Sequence, residues 1–192
     1  MATEVQATAH RRSSPKRRAI ILGALALLLI GVGGFIWLLF QPAKNSGPFG
    51  GVGIGQAAPN FTLNDTTGHA VALSSLRGHP VIINFWASYC APCRGETPLL
   101  QQLYADHQGQ GLVILGINEG EPASTMMQYM QDYKITYPVL ADRALEFNNS
   151  ASYDPVALPR TFFVDIHGVV RAIFNGQLSP QGLQSDYQLI GG

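Results

Sequence analysis

Two cysteines set two residues apart, at the end of an unbroken apolar run, constrain this chain more tightly than any other feature. Val81-Ile82-Ile83-Asn84-Phe85-Trp86-Ala87 reads as a central strand buried on both faces, because a strand with one wet face would alternate. Ser88 and Tyr89 follow, and then Cys90-Ala91-Pro92-Cys93, which holds the only two cysteines among the 192 residues. A pair with this spacing at a strand-to-helix junction has the geometry of a reversible dithiol/disulfide. The backbone N–H groups and dipole of the following helix stabilise a thiolate on the first sulfur. With no third cysteine, the pair has no other intramolecular disulfide to shuffle with.

The elements around this junction predict an α/β architecture. Phe61-Thr62-Leu63 and Val71-Ala72-Leu73 flank Asp65-Thr66-Thr67-Gly68 as a hairpin would. From Cys93 to about His107, the residues Leu99, Leu100, Leu103 and Tyr104 recur at helical spacing, with Pro98 expected to kink the helix. Gly111 to Ile117 reads as a second buried strand, and Met126 to Tyr133 as an amphipathic helix with Met126, Met127 and Met130 facing the core. Thr161 to Asp165 and Val169 to Phe174 form a second hairpin around His167-Gly168. A last helix runs from Ser179 to Ile190, with Ser179 as cap and Pro180 at its first position. Strand–helix alternation followed by a hairpin gives a parallel centre with antiparallel edges, hence a three-layer sandwich.

The chain is formally neutral, yet its charge is unevenly placed. Five of its 12 basic residues (Arg11, Arg12, Lys16, Arg17 and Arg18) fall within the first 18 positions. From Asn45 onward six Lys/Arg face eleven Asp/Glu, a net charge of −5, which argues against nucleic-acid binding. Between these regions, Ala19 to Phe40 is 22 residues without a charge, roughly 33 Å as a helix and enough to cross a bilayer. The run exceeds a signal-peptide core, and Gln41-Pro42-Ala43-Lys44 is a poor cleavage site, so a retained anchor is favoured over a cleaved leader. The basic cluster before it places the N-terminus in the cytoplasm and the rest of the chain outside. There disulfides persist, and a protein kept reduced needs a dedicated electron supply. The expected divisions are a basic tail (1–18), a transmembrane anchor (19–40), a flexible Pro/Gly linker (41–54) and one folded domain (55–192).

A lone CxxC can also bind metal. One pair cannot close a four-thiolate zinc site, whereas copper(I) would accept two soft thiolates, although no His or Met stands beside the motif to complete its shell. The histidines are scattered over turns and element ends, and no phosphate loop or Ser-His-Asp arrangement stands out. Dithiol redox chemistry is the favoured reading, and it requires no cofactor.

The segment WASYCAPCRGETPLL resembles the active site of membrane-anchored thioredoxin-like proteins of the TlpA/ResA/CcmG type, within the redoxin group. The resemblance extends to APNFTLNDTTGHAVALSSLRGHPVIINFWA and YDPVALPRTFFVDIHGVV, and so over nearly the whole outer domain. It implies a thioredoxin-like sandwich with a central mixed sheet, preceded by one transmembrane helix. It also implies roles. Cys90 would be the exposed attacking thiolate and Cys93 the buried partner that resolves the mixed disulfide, with Pro92 between them tuning reducibility. Trp86 would either line the client site or pack in the core. Pro159 would be a cis-proline holding the client backbone, and Leu158 would offer its own backbone to an extended client segment. Arg160 would be a solvated surface arginine or a contact for an acidic partner. Glu96, three residues after Cys93, matches an acidic position of cytochrome-maturation members and could exchange protons with the thiols. Glu121 matches a second acidic position, with Glu119 a close competitor.

The resemblance favours a reductant of client disulfides, with apocytochrome c as the client and a membrane thiol-electron transporter of the CcdA/DsbD type as the electron source. Copper(I)-site assembly is an alternative. A peroxidase is a weaker one, because Ala87 stands where peroxiredoxins carry Thr or Ser, three residues before the reactive cysteine.

Overall fold

The strand expected before the cysteines is the centre of the molecule. The computed structural model describes residues 28–29, 31–32, 51–143, 152–153 and 157–191. The chain divides into two units, Met1–Lys44 and Asn45–Gly192. Of the first, Leu28, Leu29, Gly31 and Val32 are described and helical. The expected basic tail and nearly all of the expected anchor lie outside the described residues, among which no helix is long and apolar enough to cross a membrane.

In the second unit, β1 (Thr62–Asn64) and β2 (Ala70–Ala72) form a small antiparallel hairpin. The main sheet comprises β3 (Val81–Trp86), β4 (Val113–Asn118), β5 (Val139–Ala141), β6 (Arg160–Val164) and β7 (Val170–Asn175). Its order is β5-β4-β3-β6-β7, parallel from β3 through β4 to β5 and antiparallel from β3 through β6 to β7. The helices are α1 (Ala91–His107), α2 (Ala123–Asp132) and α3 (Pro180–Gln188). This is the expected α/β fold with a mixed central sheet.

Strand alternation sorts the core into two clusters. Ile82 and Trp86 of β3, with Ile114 and Phe163, pack against Leu100 and Leu103 of α1, Met126 and Tyr129 of α2, and Leu183 and Tyr187 of α3. Val81, Ile83 and Phe85 point the other way, onto Phe162, Tyr153 and residues of the N-terminal segment. Every residue of β3 is buried because both faces are covered.

The folded unit starts earlier than residue 55. Val52 is buried, and its N–H donates to the Ser152 carbonyl at 2.7 Å, so the chain is already docked at residue 52, while residues 41–50 of the expected linker lie outside the described residues. Both hairpin turns are held by an aspartate. Asp65 Oδ1 accepts the N–H groups of Thr67 (2.8 Å) and His69 (2.9 Å), and Asp165 Oδ1 those of His167 and Val169 (both 2.9 Å).

Helix α2 begins three residues before the expected start. Met126 faces the core, whereas Met127 is 49% exposed, since consecutive helical residues cannot share one face. Pro98 lies inside α1 without ending it. Helix α3 starts as expected, with Ser179 Oγ accepting the Gly182 N–H at 3.1 Å. Removing that cap by Ser179→Ala costs about 1 kcal/mol. The expected result is a lower urea midpoint with an unchanged slope.

Candidate active site

At the C-terminal end of β3 the chain turns sharply into α1, and Cys90 is the residue that caps the helix. Its backbone is extended (φ −76°, ψ 108°), and its Sγ accepts the Cys93 N–H at 3.2 Å. Pro92 stands in the first turn, where a missing N–H costs nothing. The two cysteines form a disulfide, S–S 1.98 Å, so the structure is of the oxidised protein. Cys93 is 1% exposed and Cys90 8%. The expectation of an exposed Cys90 therefore needs correction for this state: bonded to Cys93 and seated at the cap, it is buried.

The loop before Cys90 is clamped from two sides. Glu121 accepts the Ser88 N–H (2.7 Å) and hydroxyl (2.5 Å), and also Asn118 Nδ2 (2.7 Å). From α1, Arg94 donates to the Ser88 carbonyl at 2.9 Å. Glu121, expected as a possible acid or base, is thus committed to three hydrogen bonds that hold this loop. Between α1 and α2, a groove of about 530 Å³ beside the loop is lined by Ser88, Arg94, Gln128, Tyr129 and Tyr133 among others.

The Leu158–Pro159 bond is cis, as the resemblance implied. Residue Arg160 pairs with Phe85 across β6 and β3, which sets Pro159 beside the end of β3 from which the cysteine loop departs. The Pro159 carbonyl accepts the Gly176 N–H at 2.9 Å. Leu158 is half-buried and packs against the core. Arg160 is not a solvated surface arginine: it is 1% exposed, with its guanidinium 5.0 Å from the Phe162 ring. Alternation along β6 explains this, because Arg160 and Phe162 share one face of a strand buried throughout.

Trp86 resolves toward packing. Its ring is buried and stacked on Tyr129 at 4.4 Å between centroids. Gly116 makes room for it, since a Cβ there would lie 3.1 Å from Trp86 Nε1 and 3.0 Å from the Tyr137 ring.

Glu96 is the unusual charge. One turn after Cys93 on the buried face of α1, it is 0% exposed. Its Oε1 accepts Asn84 Nδ2 at 2.7 Å and its Oε2 the Leu178 N–H at 2.8 Å. Burial pushes its pKa up to about 7, while the two hydrogen bonds from Leu178 and Asn84 pull the other way. Residues at i and i+3 are neighbours on one helix face, so Glu96 shares the buried face of α1 with Cys93. Thr97 adds a further link, donating to the Cys93 carbonyl at 2.8 Å and contacting the Tyr129 hydroxyl at 2.8 Å. Among the described residues, no group of three or more His, Cys, Asp or Glu side chains could hold a metal ion.

Several of these participants carry no sequence signal of their own. Asn84 and Thr161 sit inside strands, Asn118 at the end of β4, Ser88 in a short connection, and Leu178 acts through its backbone. Only the polar interruption of an apolar run at Asn84 could have marked one of them.

Residues 54–173 match the AhpC/TSA family. The thiol-disulfide oxidoreductase ResA of Geobacillus kaustophilus is 32% identical over 176 residues, spanning 91% of this chain and 97% of that protein. ResA of Bacillus subtilis is also 32% identical over 176 residues, spanning 91% and 94%. Among solved structures, a thiol:disulfide interchange protein of the thioredoxin family from Chlorobium tepidum TLS superimposes with a TM-score of 0.62 at 26% identity, covering 73% of this chain and 99% of its own. MTB dsbF, in its mixed oxidized and reduced forms, gives a TM-score of 0.60 at 26% identity, covering 68% and 94%.

Proposed function

Since this chain belongs to the AhpC/TSA family, as a thioredoxin-like thiol–disulfide oxidoreductase of the TlpA/ResA/CcmG type, we propose that it is the membrane-tethered, extracytoplasmic reductant of a specific client, apocytochrome c. The observation that carries this reading is the fully buried carboxylate of Glu96, one turn beyond Cys93.

In the reduced protein, Cys90 is the attacking thiolate. The cap geometry supports it: the Cys93 N–H points at Cys90 Sγ, and the start of α1 favours negative charge there. The thiolate attacks one sulfur of the client disulfide. The S–S electron pair leaves on the client's other sulfur, which takes a proton from water, and Cys90 is now joined to the client. Cys93 then loses its thiol proton to the Glu96 carboxylate and attacks Cys90 Sγ, breaking the Cys90–client bond and expelling the client sulfur that Cys90 held as thiolate. The client gains two electrons and the protein regains its Cys90–Cys93 disulfide. A carboxyl with a pKa of about 7 suits this transfer, since it accepts and returns a proton near neutral pH.

Half-buried Leu158, the cis-proline beside the end of β3 and the groove beside Ser88 are the surface this reading assigns to the client. The charge-free run from Ala19 to Phe40 and the basic residues before it support tethering with the dithiol outside. A membrane dithiol transporter of the CcdA/DsbD type would restore the reduced state by the same exchange in reverse.

The test is to express Cys93→Ala in the native membrane, quench with an alkylating agent and identify what Cys90 holds. A client carrying a Cys-x-x-Cys-His haem-attachment site is expected. Capture of copper-site proteins alone would overturn the cytochrome reading in favour of metal-centre assembly.

A further inference from the structure

Asn84 interrupts an otherwise apolar central strand, at a position where a buried amide must find partners for both of its N–H groups. Both are accounted for. Nδ2 donates to Glu96 Oε1 at 2.7 Å and to Thr161 Oγ1 at 2.9 Å. Thr161 is the residue directly across from Asn84 in the β3–β6 register, and it lies two residues after Pro159. One amide therefore ties the carboxylate beside Cys93 to the strand that carries the cis-proline.

We infer that Asn84 is a positioning residue for thiol–disulfide exchange: its amide, fixed by Thr161, holds Glu96 against Cys93 and sets how readily that carboxyl releases its proton. The inference rests on Glu96 being the proton partner of Cys93. An aliphatic side chain would serve the core of β3 equally well, as Ile82 does two residues earlier on the same face. An amide instead leaves Oε1 of a buried carboxylate with a fixed donor. Oε2 is held by the backbone of Leu178, which no side-chain substitution removes. Asn84 is thus the side chain through which the charged form of Glu96 is stabilised. The other ionisable groups around this carboxyl are Cys90, Cys93 and exposed Arg94 on its own helix, with Tyr129 on α2 and Tyr137 before β5, whose hydroxyls feel its charge.

The experiment uses the detergent-solubilised full chain in its reduced form. The protonated carboxyl band of Glu96, identified by its loss in Glu96→Gln, is followed by infrared spectroscopy against pH. The exchange rate with a small disulfide is recorded over the same range. Asn84→Ala removes a donor to the charged form, so the Glu96 midpoint should rise by about one pH unit or more. Thr161→Val leaves Asn84 without its second anchor, and the midpoint should move the same way by less. In a Glu96→Gln background, Asn84→Ala should leave the pH profile of exchange where Glu96→Gln alone puts it.

An unmoved carboxyl midpoint in Asn84→Ala overturns the positioning role, and so does an equal change in exchange profile with or without Glu96. Should Asn84→Ala fail to fold, Thr161→Val carries the test by itself, and an unmoved midpoint there overturns the role. Failure of the underlying reading looks different: Glu96→Gln would then exchange with the wild-type pH profile, while the infrared midpoint still responds to Asn84.

Discussion

Replacing Cys90 with Ser should abolish disulfide exchange, lowering turnover of a disulfide-linked peptide by at least about a thousandfold, the scale on which losing a nucleophile costs an enzyme. The reasoning is structural. The chain has only two cysteines, so no third thiol can take over the attack. A serine hydroxyl at the cap is neutral at working pH and cannot form the mixed disulfide through which exchange runs. The loss must not come from unfolding. The Cys90–Cys93 bond closes a loop of sequence separation 3, too short to restrict the unfolded chain much. Cys90→Ser should therefore melt close to the reduced wild-type protein. Cys93→Ala should behave differently, attacking once and then holding the client, so that product release fails while the first bond forms. Peptide turnover together with mass analysis of trapped species separates the two variants. Retained turnover in Cys90→Ser would overturn the oxidoreductase assignment.

Chemistry and central fold were legible for the same reason: both depend on local sequence. The apolar run into Cys90-Ala91-Pro92-Cys93 specifies a buried strand, a turn and a capped helix within one short stretch, and all three are present. The cis bond at Pro159 was legible only through resemblance, because nothing in the residues around it distinguishes cis from trans. What stayed hidden was whatever depends on pairing across the sheet. Strand β5 is three residues long, follows Pro138, and exists because Gly116–Asn118 of β4 gives it a ladder. Three residues show no period. Arg160 reads as a surface cation in isolation, and only the alternation of β6 turns it inward over Phe162. Asn84 reads as a blemish in an apolar run until the register sets Thr161 opposite it and α1 brings Glu96 onto the same face. Glu121 was found by sequence, but its role was not, since that depends on Ser88 lying within 2.7 Å after two loops meet.

The second large effect is on stability against pH. Glu96 has a folded-state pKa of about 7, against an ordinary value of 4.5 in an unfolded chain. Below pH 4.5 the carboxyl is protonated in both states, and the fold keeps its full stability as far as this group is concerned. Between pH 4.5 and 7 the unfolded chain releases the proton while the folded protein retains it, so stability falls as pH rises. Above about pH 7 both forms are ionised and the loss levels off, at about 3 kcal/mol in total. Glu96→Gln removes this slope. The amide offers one acceptor where the carboxylate offered two, so either Asn84 Nδ2 or the Leu178 N–H loses its bond, at a cost of about 1 kcal/mol at any pH. The two stability curves should cross: wild type is the more stable at pH 5, and Glu96→Gln at pH 8. Urea unfolding of the oxidised proteins at both values measures the crossing, and the histidines common to both chains cancel in the difference. Parallel curves would mean that the carboxyl ionises as an ordinary surface glutamate does. The crossing would instead mean that the fold gives up stability at neutral pH to bury an ionisable carboxyl one turn beyond Cys93.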